Sequence, residues 1–283
     1  MRLRRRMLGA GLAGGLLAGR GAVAGPAAQA HYQPERTEVW DFTARSGRRY
    51  RILLSWPPGE APAQGWPVLY ALDGNAMFPL LTGACRLLPD TAQGVIVAID
   101  FPLDDAEPER RDFEYTPPAP DAPGRNGGAD ALLAIMEREV KPAVEAAFRI
   151  DRARQALFGH SYGGLFTLHA LFTRPAGFST WLAASPSIWW GEGLLLRESE
   201  GFAAHPPPPG PVPRLLMTFG SLEGRMRARP GRVMGENVRR MAARLEALRG
   251  RFAALSVQEF QDENHGSVRA AAAGRAVPFA FTG

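Results

Sequence analysis

Short apolar runs recur along the chain from residue 37 onward. Between residues 37 and 56, apolar and polar positions alternate on either side of Ser46-Gly47, which predicts an antiparallel hairpin. The later runs are continuous rather than alternating, a pattern typical of strands that are buried on both faces of a sheet. We predict six such strands, at residues 68–72, 94–99, 155–158, 178–183, 215–219 and 255–260.

Helical patterns separate these runs. Apolar positions recur at helical spacing over residues 129–148, 163–172 and 234–248, and a last helix is expected to begin near Ser267. Pro142 lies inside the first pattern, so we expect a kink or a break there. Strands that alternate with helices indicate an α/β fold with a mostly parallel sheet covered on both faces. We expect one such domain over residues 31–283.

One predicted connection is unusually long. Residues 101–128 are polar and rich in proline. A connection of that length within a compact domain usually has a function, so we expect one for this segment.

The amino terminus has the composition of an export signal. Residues 2–6 are basic, residues 7–18 form an apolar, glycine-rich run, and Ala28-Gln29-Ala30 has the form of a cleavage site. The arginine cluster also admits a twin-arginine route. A membrane anchor is the competing interpretation, but the apolar run is short for a span of about 20 residues. We expect residues 1–30 to be removed and the mature protein, without a stable membrane span, to be periplasmic or secreted.

Charge and cysteine content argue against two classes of protein. The formal net charge is +5, but residues 1–30 hold five arginines and no acidic residue. Removing these five from 33 basic residues leaves 28, against 28 acidic residues, so the remaining chain offers no electrostatic case for nucleic-acid binding. Cys85 is the single cysteine, which excludes an intrachain disulfide. Its apolar neighbours favour a small buried side chain over a nucleophile.

The segment Gly159-His160-Ser161-Tyr162-Gly163 matches the G-x-S-x-G pattern of a nucleophile elbow. Such an elbow is a very tight strand-to-helix turn, which requires small residues two positions before and after the serine. An apolar strand end precedes the motif and an apolar helix follows it. This context favours Ser161 as a nucleophile over an ordinary glycine-rich loop in a chain with 32 glycines.

His265 is the candidate general base. It follows the last predicted strand, in the segment DENHG, and lies C-terminal to Ser161 as the chain order serine, acid, histidine requires. The other four histidines fit this position less well. His160 lies inside the elbow, where we expect its side chain to point away from that of the serine. A histidine of an ordinary surface loop is the alternative for His265.

Glu223 is the candidate acid, because it is the first carboxylate after the predicted strand at 215–219. In that position it would orient the imidazole of His265. Three alternatives stay open: an ion pair of Glu223 with Arg225 or Arg227, a contact of Glu223 with substrate, and a Ser-His dyad that uses no acid.

Two backbone N–H groups are candidates for an oxyanion hole. One belongs to Tyr162, the residue after the nucleophile. The other is expected in the loop after the strand at 68–72, where Gly74 permits close approach of the backbone and Asn75 supplies the N–H. Asp73 is expected to fix this loop in place. An ordinary turn is the alternative interpretation of these three residues.

Seven segments resemble the esterase D-like branch of α/β-hydrolases, and within it the periplasmic esterases of catecholate siderophores of the enterobactin and salmochelin type. They run through nearly the whole predicted mature chain: LYALDGNAMF (69–78), FEYTPP (113–118), RNGGAD (125–130), FGHSYGGLFTLHAL (158–171), ASPSIWW (184–190), FGSLEG (219–224) and ENHGSV (263–268). The resemblance implies an α/β-hydrolase fold: a mostly parallel central sheet with helices on both faces and an N-terminal antiparallel hairpin. It also implies hydrolysis of the ester backbone of a cyclic trilactone siderophore.

The resemblance also implies roles for residues outside the elbow. Arg125 falls where such esterases place a cation near the negatively charged catecholate–iron group, or else it is a surface arginine. Trp189 and Trp190 line the pocket for aromatic groups, or else they belong to the core. The chemistry calls for no metal and no other cofactor.

We therefore predict a serine esterase that acts on a small-molecule ester, a catecholate siderophore, through an acyl-enzyme. One alternative is a general carboxylesterase, thioesterase or acyltransferase, because the same catalytic set serves many substrates. The other is a non-catalytic siderophore-binding protein with a hydrolase fold. The sequence leaves the oligomeric state open.

Overall fold

The predicted strands all take part in one eight-stranded sheet. The computed structural model describes residues 34–119, 122, 124–205, 210–223 and 233–282, so the predicted export signal at residues 1–30 lies outside the described residues. The residues from Glu35 onward form one compact unit. The strands are Thr37–Thr43 (β1), Arg49–Ser55 (β2), Trp66–Ala71 (β3), Val95–Asp100 (β4), Ile150–His160 (β5), Thr180–Ala184 (β6), Arg214–Gly220 (β7) and Ala254–Phe260 (β8).

The strand order along the sheet is β1-β2-β4-β3-β5-β6-β7-β8. β1 pairs antiparallel with β2, and β2 pairs antiparallel with β4. Every other pairing is parallel. The predicted hairpin and the mostly parallel sheet are therefore confirmed, although β5 begins at Ile150, earlier than its apolar run predicts.

The described residues form eight α-helices. The helical patterns given above account for five of them; the other three lie after β3, inside the long polar connection and after β6. The helices are Gly74–Arg86 (α1), Arg110–Tyr115 (α2), Ala129–Ile135 (α3), Lys141–Ala147 (α4), Tyr162–Thr173 (α5), Leu194–Ala204 (α6), Met234–Glu246 (α7) and Val268–Phe281 (α8).

Successive side chains of the central strands enter two separate apolar cores. In β3, Val68 and Tyr70 belong to one core, whereas Leu69 and Ala71 belong to the other. Side chains of α3, α5 and α7 complete the first core, and side chains of α1 and α8 complete the second. Because successive strand side chains point to opposite faces, a strand covered by helices on both faces needs apolar residues at every position. This is the physical basis of the continuous apolar runs.

The helical pattern at 129–148 is broken where the sequence predicts it. α3 ends at Ile135, a π-helical turn covers Met136–Val140, and α4 begins at Lys141 with Pro142 in its first turn. Proline has no N–H to donate to the carbonyl four residues earlier, and the wider π turn carries the chain past that missing hydrogen bond.

The long polar connection contains a helix fixed by buried charges. In α2, Arg110 Nε donates to Glu114 Oε1 at 2.8 Å, and the Tyr50 hydroxyl of β2 donates to Glu114 Oε2 at 2.8 Å. The Arg110 guanidinium also lies over the rings of Tyr50 and Phe101, at 4.9 and 4.6 Å. Buried charges are tolerated when they are paired in this way. The contacts attach α2 to the hairpin and so position the next residue, Arg111, beside the carboxyl edge of the sheet.

No described helix is long and apolar enough to cross a bilayer.

The single cysteine lies in a helix. Cys85 is buried in α1, its Sγ lies 3.6 Å from Gly94 O, and burial raises the pKa of its thiol. The prediction of a small buried side chain at this position is confirmed.

Candidate active site

β5 gives way to α5 across a single residue, Ser161. Its backbone has φ 61° and ψ −114°, a strained conformation that residues other than glycine rarely adopt. The Ser161 N–H donates to Ala184 O at 3.0 Å, and Ser161 O accepts from Leu165 N at 2.9 Å. The surrounding strand and helix thus hold the strained turn, as a nucleophile elbow requires.

Two glycines of the elbow have no room for a side chain. A Cβ on Gly159 would lie 2.8 Å from Gly163 Cα and closer still to the Gly163 carbonyl. A Cβ on Gly164 would lie 2.8 Å from Ala184 O. A Cβ on Gly163, in contrast, would lie 3.5 Å from its nearest neighbour, an ordinary contact. The requirement for a small residue after the serine therefore falls on Gly164, and the expectation that it falls on Gly163 is wrong.

Ser161, His265 and Glu223 form a continuous hydrogen-bonded chain. His265 Nε2 lies 3.0 Å from Ser161 Oγ, and His265 Nδ1 lies 2.8 Å from Glu223 Oε1. Because a carboxylate only accepts hydrogen bonds, Nδ1 carries the proton and Nε2 presents its lone pair to the serine hydroxyl. The arrangement can pass a proton from the hydroxyl to the imidazole, which is the chemistry of a nucleophile with a general base.

The loops after β7 and β8 hold the acid and the base together. Leu222 N donates to Glu263 O at 3.0 Å, and Asp262 N donates to the Ser221 hydroxyl oxygen at 2.9 Å. The side chain of Glu223 is only 1% exposed, and its Oε2 accepts the Gly220 N–H at 3.0 Å. The buried carboxylate is therefore fixed at both oxygens. The alternative of an ion pair between Glu223 and Arg225 or Arg227 concerns two arginines that lie outside the described residues.

The imidazole ring of His160 packs against that of His265, the candidate general base. Its ring centroid lies 4.6 Å from that of His265, with 36° between the ring planes. Burial, followed by the neighbouring charges, lowers the pKa of His160 to about 3, so its ring is neutral at physiological pH. The sequence offers no signal for this contact, because the two residues are distant in the chain and come together only when β5 and the loop after β8 are in place.

Arg111 and Asp73 support the other side of the elbow. Arg111 donates to both oxygens of the Asp73 carboxylate, at 2.5 and 2.9 Å, and its Nη2 donates to His160 O at 3.4 Å. Burial opposes the charged form, but hydrogen bonding to Asp73 and the charge of that carboxylate raise the pKa of Arg111. The guanidinium also lies 5.8 Å from the ring of Tyr162. The expectation that Asp73 fixes its loop is confirmed, whereas the sequence analysis missed Arg111.

The Asn75 N–H is already engaged in this structure. It donates to Asp100 Oδ2, at the end of β4, at 2.6 Å. The segment Asp73-Gly74-Asn75 is not an isolated turn but leads into α1, so the Asn75 N–H lies in the first helical turn and Asp100 accepts it. The expectation that this N–H is available as an oxyanion donor conflicts with that hydrogen bond. The Tyr162 N–H lies in the first turn of α5, directly after Ser161.

Comparison with known proteins assigns the chain to a family. Residues 43–228 match the esterase family described as "Putative esterase". The chain belongs to this esterase family. The match includes Ser161 and Glu223, and His265 lies beyond it. The protein is a carboxylic ester hydrolase.

Curated relatives and solved structures agree with this assignment. The siderophore enterobactin esterase of Emericella nidulans is 37% identical over 81% of this chain and 88% of the relative. The ferri-bacillibactin esterase BesA of Bacillus subtilis is 34% identical over 87% of this chain and 89% of the relative. The structure of siderophore hydrolase EstB from Aspergillus nidulans superimposes with a TM-score of 0.79, at 34% identity, covering 89% of this chain and 98% of that one. The α/β-hydrolase fold implied by the resemblance is confirmed.

The esterase places its three expected substrate-binding residues in different environments. Arg125 is half-exposed, pairs with Glu107, and lies 5.0 Å over the ring of Phe113. Trp189 is partly buried, with its ring 6.2 Å from that of Tyr162. Trp190 is 2% exposed and belongs to the first core. The core interpretation is therefore correct for Trp190, and the pocket interpretation is wrong because its ring offers almost no accessible surface.

A cavity of about 600 Å³ lies elsewhere and is not lined by Ser161, His265 or Glu223. It is lined by residues at the amino ends of β3, β4 and β5, including Trp66, Gln93 and Asp151. Ser161, Glu223 and His265 follow the carboxyl ends of β5, β7 and β8, and ligands bind at this edge in open α/β sheets. We therefore place the candidate active site of the esterase at the carboxyl edge.

Proposed function

We propose that this esterase is a serine hydrolase that cleaves the ester bonds of a catecholate trilactone siderophore. The observation that carries the proposal is the hydrogen-bonded chain from Ser161 Oγ through His265 to Glu223, at 3.0 and 2.8 Å. The names of the relatives support the substrate class, because they include an enterobactin esterase and a ferri-bacillibactin esterase.

The mechanism is acyl transfer in two halves. His265 Nε2 takes the proton of Ser161 Oγ as the oxygen attacks the ester carbonyl, and the charged imidazole is stabilised by Glu223. The protonated His265 then donates its proton to the leaving alkoxide, which departs as an alcohol. In the second half His265 takes a proton from water, the resulting hydroxide attacks the acyl-enzyme, and Ser161 recovers its proton as the acid leaves.

The Tyr162 N–H is our proposed oxyanion donor. For Asn75 to act as a second donor, its N–H must exchange the carboxylate of Asp100 for the substrate oxygen. We also propose that Arg125 and Trp189 contact the catecholate groups at the rim of the site. An anionic catecholate would compete with Glu107 for the guanidinium of Arg125.

Covalent labelling tests the nucleophile. A fluorophosphonate probe is expected to add once to the wild-type esterase and to modify Ser161, as read by peptide mass spectrometry. The variant Ser161→Ala should show no label and no ester hydrolysis. A label that persists in that variant would remove Ser161 from its role.

Substrate choice is tested with two esters. We expect enterobactin, a catecholate trilactone, to be converted to linear products, followed by mass spectrometry, with a higher kcat/KM than p-nitrophenyl acetate. Efficient turnover of p-nitrophenyl acetate with no conversion of the trilactone would favour a general carboxylesterase. Binding of the trilactone without any turnover of either ester would favour a non-catalytic siderophore-binding protein.

We propose that the protein acts in the periplasm or outside the cell. The proposal rests on the export signal predicted for residues 1–30. Amino-terminal sequencing of the protein from its native host should give a mature chain that begins near His31. A cytoplasmic protein that retains Met1 would contradict this part of the proposal.

A further inference from the structure

His160 has a ring nitrogen without a hydrogen-bond partner. Its side chain is buried, with the residue 6% exposed, and His160 Nε2 has no partner among the described residues. A buried polar atom without a partner loses its hydration and gains no hydrogen bond in return, so such atoms are rare in folded proteins. Its position beside the proposed catalytic base suggests that a ligand can satisfy it.

The same imidazole belongs to a cluster of three groups that can bind a metal. His160, Glu223 and His265 each offer a ligand atom, and these atoms all lie within 4.8 Å of one another. In a tetrahedral zinc site the ligand atoms lie about 3.4 Å apart. Side-chain rotations that move the ligand atoms by about 1 Å would therefore bring the three groups into bonding distance of one ion. His160 is buried and the Glu223 side chain is 1% exposed, whereas the side chain of His265 is 41% exposed and gives access from solvent.

We propose that His160, Glu223 and His265 form an inhibitory binding site for a divalent transition-metal ion of the Zn²⁺ class. Two imidazoles and one carboxylate are a ligand set that suits Zn²⁺, and water can occupy the fourth position. Ions such as Mg²⁺ and Ca²⁺ prefer oxygen ligands and should bind poorly here.

The bound ion would remove the general base, whichever nitrogen of His265 it takes. An ion on Nε2 occupies the lone pair that accepts the serine proton. An ion on Nδ1 displaces that proton, and the neutral ring then carries its single proton on Nε2, where it can only donate to Ser161. Inhibition therefore rests on the proposed role of His265 in the serine mechanism, whereas binding of the metal does not.

Calorimetry on an inactive protein tests the binding separately from catalysis. Tag-free Ser161→Ala protein titrated with ZnCl₂ should bind one ion that is lost, or weakened at least about tenfold, when His160→Gln is added, since a ligand is removed. Glu223→Gln in the same background is a second variant and should have the same effect. The control is His169→Gln, because His169 is also buried beside carboxylates, with Nδ1 2.8 Å from Glu198 Oε1, but lies outside the site.

Unchanged zinc affinity in folded Ser161→Ala/His160→Gln protein, or in the Glu223→Gln counterpart, would overturn the proposal. Zinc binding that is lost only in the His169→Gln control would also overturn it. Folding of each variant is checked by circular dichroism. These readouts remain decisive even if the esterase mechanism proposed above is wrong.

An activity assay then tests inhibition. ZnCl₂ should inhibit p-nitrophenyl acetate hydrolysis by the wild-type esterase, and a chelator should restore it, whereas MgCl₂ should have no effect. In His160→Gln, measured against its own metal-free rate, the zinc concentration for half-inhibition should rise at least about tenfold. Equal zinc sensitivity of the two proteins would refute the inhibitory site.

Discussion

Because β5 and α5 lie so close together, we predict that Gly159→Ala lowers both the stability and the kcat/KM of the esterase. The added Cβ would lie 2.8 Å from Gly163 Cα, whereas two carbon atoms in contact are separated by about 3.5 Å. The first turn of α5 must therefore move by at least about 0.7 Å, and further to clear the Gly163 carbonyl. Both neighbours are backbone atoms, so no side-chain rotation relieves the clash. Overpacking of this kind costs about 1–3 kcal/mol of stability.

The displacement acts directly on Ser161, which lies between the two glycines. A misplacement of about 1 Å at a reacting group costs about 10²-fold in rate, so kcat/KM for p-nitrophenyl acetate should fall by about that factor. Urea denaturation should show a loss of about 1–3 kcal/mol in the free energy of unfolding. Both measurements are made on the same preparation.

Gly163→Ala is the matched control, because it adds the same methyl group two residues after the serine. Its Cβ would lie 3.5 Å from Asp73 Oδ2 and 3.6 Å from Leu72 Cβ, so the elbow need not move. We expect kcat/KM within about threefold of wild type, which is less than 1 kcal/mol. Wild-type activity in Gly159→Ala, or equal damage in the two variants, would refute the packing argument.

Three further predictions concern the acid, a buried amine and the rim. Glu223→Gln should lower kcat by about 10³- to 10⁴-fold in a steady-state assay, because the amide no longer holds the correct tautomer of His265; a loss below tenfold would favour a Ser-His dyad. Burial lowers the pKa of Lys141 from 10.5 to about 8, so the unfolded chain binds more protons between these values and stability rises with pH. In urea denaturation, the free energy of unfolding of wild type relative to that of Lys141→Met should rise by about 3 kcal/mol between pH 8 and 10.5. A difference between the two proteins that does not change with pH would contradict the burial argument. Arg125→Ala should raise KM about fivefold for an anionic catecholate ester and leave KM for neutral p-nitrophenyl acetate unchanged, and equal effects on both esters would exclude a charge-specific contact.

The local patterns of the chain predicted the sheet and the elbow well. Strands with helices on both faces need apolar residues at every position, so β3 and β4 are visible as uninterrupted apolar runs. The elbow is visible for a similar reason, because a tight strand-to-helix turn restricts residue size within a few positions. Chain order then pointed to Glu223 and His265, whose side chains the fold brings into one hydrogen-bonded chain with Ser161.

The sequence did not predict contacts between residues that are distant in the chain. The polar segment at 101–128 reads as an irregular connection, because the burial of Arg110 and Glu114 depends on Tyr50 in the hairpin. The engagement of the Asn75 N–H depends in the same way on Asp100, at the end of the neighbouring strand.

What the sequence determined by itself is therefore what depends on neighbours a few residues away: the strands, the helix break at Pro142 and the small residues of the elbow. Tertiary structure decided that Gly164 and not Gly163 has no space for a side chain, and that the Asn75 N–H already donates to Asp100. It also decided that the ring of His160 packs against that of His265. The physical reason is that steric clashes, hydrogen bonds and desolvation act over a few ångströms in space. The residues that meet over those distances, such as His160 and His265, are brought together only by the assembled sheet.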